Sequence, residues 1–140
     1  MGRILGIDYG SQRVGLALSD PSGIIASPLR TIKYQSIVDL IARLESLVGE
    51  HQINGFVVGF PIGMKGQRTE QTETVESFID ILKERFSLPI EIEDERLTSV
   101  QASRSLREQG FEPSREKGSV DATAAAILLQ AYLDRKAFND

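Results

Sequence analysis

Three acidic positions in this chain border strongly apolar segments. Asp8 follows "RILGI", Asp94 and Glu95 close "LPIEIEDE", and Asp121 opens the Ala-rich "DATAAAILL". Taken singly, each has an ordinary explanation, because charged side chains are usually solvated. Asp8 can begin a hairpin turn, Asp94 and Glu95 can be strand-end charges, and Asp121 can favour a helix N-terminus. Taken together they point to chemistry. Ligands of such sheets collect at strand ends and neighbouring helix termini, where these acids can converge. Carboxylates buried side by side repel and lose hydration unless a cation neutralises them, and an all-oxygen donor set suits Mg²⁺ or Mn²⁺. Two such ions about 3.5–4 Å apart support phosphodiester hydrolysis without any histidine.

Residue supply removes most other chemistry. The absence of cysteine excludes disulfides, thiolate metal sites and cysteine nucleophiles. His51, the single histidine, falls at the end of an expected helix, where interaction with the last carbonyls is its ordinary role. A Ser-His-Asp or Cys-His site is therefore not expected. "GMKGQRT" follows a strand and is glycine-bearing, but it lacks the Gly-Lys-Ser/Thr ending of a Walker loop. It is either a plain connection or a loop whose backbone, with Lys65 and Arg68, touches phosphates.

Elements to position these residues are legible in periodicity. Residues 3–8 and 14–18 are apolar runs separated by "YGSQ", a hairpin pattern. "DPSG" marks a turn, and "IIASPLRTI" fits a strand near a sheet edge because Pro28 cannot donate to a ladder. Ile37, Leu40, Ile41, Leu44, Leu47 and Val48 recur at helical spacing behind the capping candidates Ser36 and Asp39. "INGFVVGF" reads as a buried strand, and a second helix carries Val75, Phe78, Ile79, Leu82 and Phe86 on one stripe. The short strand "LPIEIED" follows, then a helix opened by Thr98 and Gln101 and closed by Gly110. A last helix is expected from about Ser119 to Lys136. The order βββαβαβαα implies an α/β fold, a mixed sheet with helices on both faces.

The chain has 140 residues, enough for one domain spanning 1–140. Hydrophobic residues at 41% and charged residues at 26% are globular proportions, and no apolar run approaches the ~20 residues of a membrane span. With no signal-peptide pattern at the N-terminus, a cytoplasmic protein is expected. The formal net charge of −4 speaks only weakly against a nucleic-acid partner, because clustered carboxylates lower the average while a metal they hold attracts phosphates.

Four blocks, "GIDYGSQRVGLALSD", "VVGFPIGMKG", "EDERLTS" and "KGSVDATAAAILLQAYL", resemble in order and spacing those of the YqgF/RuvX family, relatives of Holliday-junction resolvases. The resemblance covers nearly the whole chain, although "GIDYG" alone also occurs in actin-like and sugar-kinase ATPases. It implies a ribonuclease H-like fold with a five-stranded sheet, a nuclease of the bacterial cytoplasm, 5′-end maturation of pre-16S rRNA and, by kinship, junction resolution. By position it assigns Asp8 as the first-strand acid, Asp94-Glu95-Arg96 as the DER block, Asp121 as the last-helix acid and Lys117 as the basic residue before it. Phe60 stands where the family usually has Leu, and Gly59 where resolvase relatives carry a glutamate. The family block leaves Asp94 and Glu95 both open as the middle ligand. Strand parity groups Asp94 with Ile90 and Ile92, and Glu95 with Glu91 and Glu93, so Asp94 is expected to point inward.

Cations near the acids are the expected substrate contacts. Arg13, Arg96 and Lys117 flank them, Arg104, Arg107 and Arg115 line the segment leading to Asp121, and all can hold a phosphate backbone without reading sequence. Tyr9 and Tyr34 are the nearest aromatics for base stacking, with packing their more ordinary role. The reading that results is a Mg²⁺- or Mn²⁺-dependent nuclease for structured RNA or branched DNA, monomeric or homodimeric. Lys117 or Arg96 would neutralise transition-state charge. Its competitors are a non-catalytic nucleic-acid module of ribosome assembly and an ATPase-like phosphate-binding domain.

Overall fold

In the computed structural model, residues 2–63, 65–97 and 117–139 are described. Five strands form one sheet in the order β3-β2-β1-β4-β5. They are β1 (Arg3–Tyr9), β2 (Arg13–Ser19), β3 (Ala26–Lys33), β4 (Ile53–Phe60) and β5 (Ile90–Asp94). The expected antiparallel entry is present: β2 pairs antiparallel with both β1 and β3, whereas β1–β4 and β4–β5 are parallel. Helices α1 (Ile37–His51) and α2 (Glu70–Arg85) make the crossovers those parallel pairs need. The last helix, α3, runs Lys117–Asn139. The helix expected between Thr98 and Gly110 lies outside the described residues.

Alternation along the strands assigns the two faces of the sheet. Leu5, Ile7, Leu16, Phe56 and Val58 are buried against Leu40, Leu44 and Leu47 of α1 and Val75, Phe78 and Leu82 of α2. Ala17 and Val57 face the other way, against Ala125, Leu128 and Leu129 of α3. Helices thus cover both faces. Fully burying a Leu or Phe contributes roughly 1.5–3 kcal/mol, so these two clusters dominate the folding free energy.

Local chemistry fixes the element ends. Ser36 caps α1 by accepting the Asp39 N–H, as the sequence indicates. Thr69 caps α2 in a reciprocal box with Thr72, a pairing hidden from a search for Glu or Gln at that position. Asp20 organises the β2–β3 turn by accepting the N–H groups of Ile24 and Ile25 at 2.7 and 2.8 Å. Those bonds hold its carboxyl below the ordinary range. Pro28 sits on the edge strand beside a register shift, where a missing donor does least harm.

Candidate functional site

β1 lies mid-sheet, and its penultimate residue, Asp8, pairs with Gly15 of β2. Paired residues share a face, and the face of Asp8 is the one covered by α3. Gly15 is glycine for a steric reason: a Cβ there would run into the carbonyl of Asp121. The start of α3 therefore rests on β2 beside Asp8, and both acids are buried, each 5% exposed. Arg13, at the head of β2, binds Asp121 through Nε–Oδ2 at 2.8 Å.

On the other side of β1, one step past the Ile7–Val58 pair, β4 presents Gly59. A Cβ at that position would stand 2.9 Å from Leu128 Cδ2 of α3 and 3.4 Å from Glu95 Cγ and Cδ. Glu95 belongs to the single 3₁₀ turn, Glu95–Leu97, that follows β5, and it is fully buried. It fills the space a side chain at 59 would occupy, and so comes to the α3 face of the sheet from the neighbouring strand.

Asp94 is placed differently from the inward orientation that strand parity suggested. The alternation itself holds, since Glu93 is aligned with Gly59 and Asp94 with Phe60. The assignment of faces is what changes. β5 is an edge strand with Ile92 50% exposed, so its isoleucines do not mark the interior, whereas Glu93 is 1% exposed. Glu93 tolerates that burial because Arg135 of α3 binds its carboxylate at 2.6 Å. The Asp94 carboxylate turns back on its own loop and accepts from the Arg96 N–H at 2.9 Å and from its guanidinium at 2.7–3.1 Å. Hydrogen bonds from that guanidinium, then from the Arg96 backbone, hold Asp94 below the usual carboxylate range against the opposing effect of burial.

Asp8, Glu95 and Asp121 therefore share one face at the carboxyl ends of β1 and β5, and Asp94 does not join them. Among the described residues no group of three or more His, Cys, Asp or Glu side chains is gathered round one point where an ion would sit. Their chemistry nevertheless fits a hard divalent cation: the donors are all carboxylate oxygens, buried, with a guanidinium already balancing charge at Asp121.

Of the four cations singled out in the sequence whose side chains are described, three are engaged with acids. Arg13 holds Asp121, Arg96 holds Asp94, and Arg68 holds Glu76 at 2.6 Å. Lys65 is exposed, its backbone N–H bonded to the Gln67 side chain. Lys117 begins α3, four residues before Asp121, but its side chain lies outside the described residues, as do Arg104, Arg107 and Arg115 entirely. Tyr9 and Tyr34 are packing residues: Tyr9 stacks on Phe78 at 4.1 Å, and the Tyr34 hydroxyl donates to the Gly10 carbonyl at 2.6 Å. Lys33 and Arg43, which sequence reasoning passed over, stand near Arg13 on the rim of an open groove. The signal that could have found Lys33 is its register opposite Arg13.

Known proteins resemble this chain in sequence and in fold. The RuvX family, described as Holliday junction resolvase, matches residues 2–135. A Chloroflexus aurantiacus protein named "Putative pre-16S rRNA nuclease" is 43% identical over 97% of this chain and 89% of its own. A Ruminiclostridium cellulolyticum protein of the same name is 43% identical over 98% of this chain and 97% of its own. Among solved structures, Thermus thermophilus RuvC in complex with a Holliday junction substrate superimposes with a TM-score of 0.60 at 15% identity, covering 98% of this chain and 96% of that one. The yeast mitochondrial Holliday junction resolvase gives 0.52 at 15% identity, covering 97% and 79%. The mixed five-stranded sheet with helices on both faces is thus a ribonuclease H-like fold. With a family match across nearly the whole length and relatives above 40% identity, this chain belongs to the RuvX family of Holliday junction resolvases.

Proposed function

We propose that the chain is a divalent-metal-dependent nuclease that hydrolyses phosphodiester bonds in the cytoplasm, with pre-16S rRNA as the first substrate to test and branched DNA as the second. The observation that carries this reading is the placement of Asp8, Glu95 and Asp121, three buried acids from distant parts of the chain, on one face at one end of the sheet. Membership of a resolvase family and the names of its relatives support the same class of reaction.

Within that reading, Asp8 is the fixed ligand, since it stands on the central strand between two paired neighbours. Glu95 is the middle ligand in preference to Asp94, whose oxygens are committed to Arg96. Asp121 is the third, and Arg13 holds its carboxylate in position. Arg13, 24% exposed at the mouth of the site, can also meet a phosphate oxygen. Lys117, one helical turn before Asp121, is the candidate for neutralising charge that develops on the phosphoryl group. A bound Mg²⁺ or Mn²⁺ supplies Lewis-acid stabilisation of the phosphoryl oxygens and a lowered pKa for the attacking water.

A second reading is favoured by the absence, among the described residues, of three acids already gathered round one point. In that reading the chain binds structured nucleic acid without turnover. The two are separated by incubating purified protein with a pre-16S rRNA 5′ fragment and with a four-way DNA junction, with Mg²⁺ or with EDTA. Mn²⁺ binding is followed in parallel by electron paramagnetic resonance. Metal-dependent products, together with Mn²⁺ binding that weakens at least about ten-fold in Asp8→Asn, support the nuclease. Binding of nucleic acid with neither result supports the module.

A further inference from the structure

Beside the acidic site lies an open groove of about 890 Å³ between the β1–β2 turn, the end of β3 and the first turns of α1. Its lining carries three cations, Arg13, Lys33 and Arg43, and one acid, Asp39, beside uncharged residues that include Gln12 and Gln35. Arg13 and Lys33 are directly opposed in the β2–β3 register, an arrangement in which like charges repel. Asp121 engages the Nε of Arg13, but Lys33 has no ion pair among the described residues. Arg43 meets Asp39 only through Nε, at 3.4 Å, with both side chains exposed. Three cations facing one acid across an open groove favour an anion there, and Arg13 connects the groove to the buried carboxylates.

We propose that this groove is a second phosphate-binding subsite, which grips the phosphodiester backbone of the substrate strand a few nucleotides away from the bond to be cut. The inference rests on the nuclease reading for its purpose, though not for its physics. Arg13 belongs to both sites, while Lys33 and Arg43 hold successive backbone phosphates as point charge and planar fork. The exposed amides of Gln12 and Gln35 add hydrogen bonds to sugar or phosphate oxygens. No base-reading group is needed, so the grip is indifferent to sequence.

The test compares Lys33→Gln/Arg43→Gln with Lys83→Gln/Arg85→Gln, which removes equal charge from the last turn of α2. That turn is remote, because the first turn of α2 is the part near the site, where Gln71 donates to the Tyr9 carbonyl. Fluorescence anisotropy with a labelled RNA hairpin and a labelled four-way DNA junction gives affinity across a salt series. The groove variant is expected to bind about ten-fold more weakly at 0.1 M salt, with the log–log salt slope smaller by about 1.4–1.8, as for two lost phosphate contacts. The α2 variant should stay close to wild type, and the probe showing the larger loss identifies the nucleic acid. Equal losses in both variants, no loss in either, or no binding of either probe by wild type overturns the proposal. Binding is read without turnover, so a groove effect in a protein that never cleaves would remove the nuclease reading alone. Cleavage with an unchanged salt slope would remove the groove alone.

Discussion

The side chain of Glu95 lies over Gly59, its Cγ and Cδ each 3.4 Å from the point where a Cβ would stand. The side chain that Gly59 lacks leaves room for that of Glu95. A carboxylate thereby reaches the same face as Asp8 from a different strand.

Gly59→Ala tests that relationship most directly. The added methyl meets Leu128 Cδ2 at 2.9 Å as well as Glu95, so one of them must move. Overpacking of this kind costs about 1–3 kcal/mol, and thermal unfolding should report it. Cleavage should fall by more than the unfolded fraction accounts for. A variant with full activity and only lower stability would separate Glu95 from the reaction.

Glu95→Gln and Asp94→Asn should behave oppositely. With Glu95 as the middle ligand, its amide variant loses about 10²–10³ in cleavage rate, whereas Asp94→Asn retains activity within a few fold. The reverse ranking, measured at saturating Mg²⁺, would return the role to Asp94.

Asp8→Asn should abolish metal-dependent cleavage while the thermal midpoint stays near or above that of wild type. The substitution removes a charge buried to 5% exposure and keeps the shape of the side chain. Retained cleavage would remove Asp8 from the site.

The Asp94–Arg96 contact has a pH signature. Arg96 holds the folded-state pKa of Asp94 below its ordinary value, so the contact stabilises the fold fully above the unfolded pKa of about 3.9. The contribution disappears as pH falls through the lower folded value. Melting curves of wild type and Asp94→Asn should differ by a constant amount above about pH 5 and converge in stronger acid. A difference that grows on acidification contradicts the assignment.

Arg135→Gln should destabilise the protein by about 1–3 kcal/mol, because it withdraws the guanidinium bound to the fully buried Glu93 carboxylate. Adding Glu93→Gln should restore part of that loss, which a double-mutant cycle in urea would measure.

How much of this was legible in the sequence depends on what each residue answers to. Strands and helices followed from local periodicity, and Asp8 and Asp121 stood out because they interrupt apolar runs. Thr69 and Thr72 escaped notice because a hydroxyl did the work expected of a longer acid or amide. The orientation of Asp94 and Glu95 failed for another reason: hydrophobicity identifies the inward face only where both faces are covered, and β5 is an edge strand whose Ile92 is half-exposed. Lys33 was invisible because its neighbour Arg13 is set by cross-strand register, which one strand alone does not reveal.

The order β3-β2-β1-β4-β5 also determines how unequally the acids are anchored. Asp8 rides on the strand whose amides should be the last to exchange with deuterium, hydrogen-bonded on both flanks. Glu95 is buried, but it sits past the end of the edge strand in a single tight turn, outside the hydrogen-bonded ladder. An incoming charge therefore meets one carboxylate fixed by the central strand, one held by Arg13, and one on a turn outside the ladder.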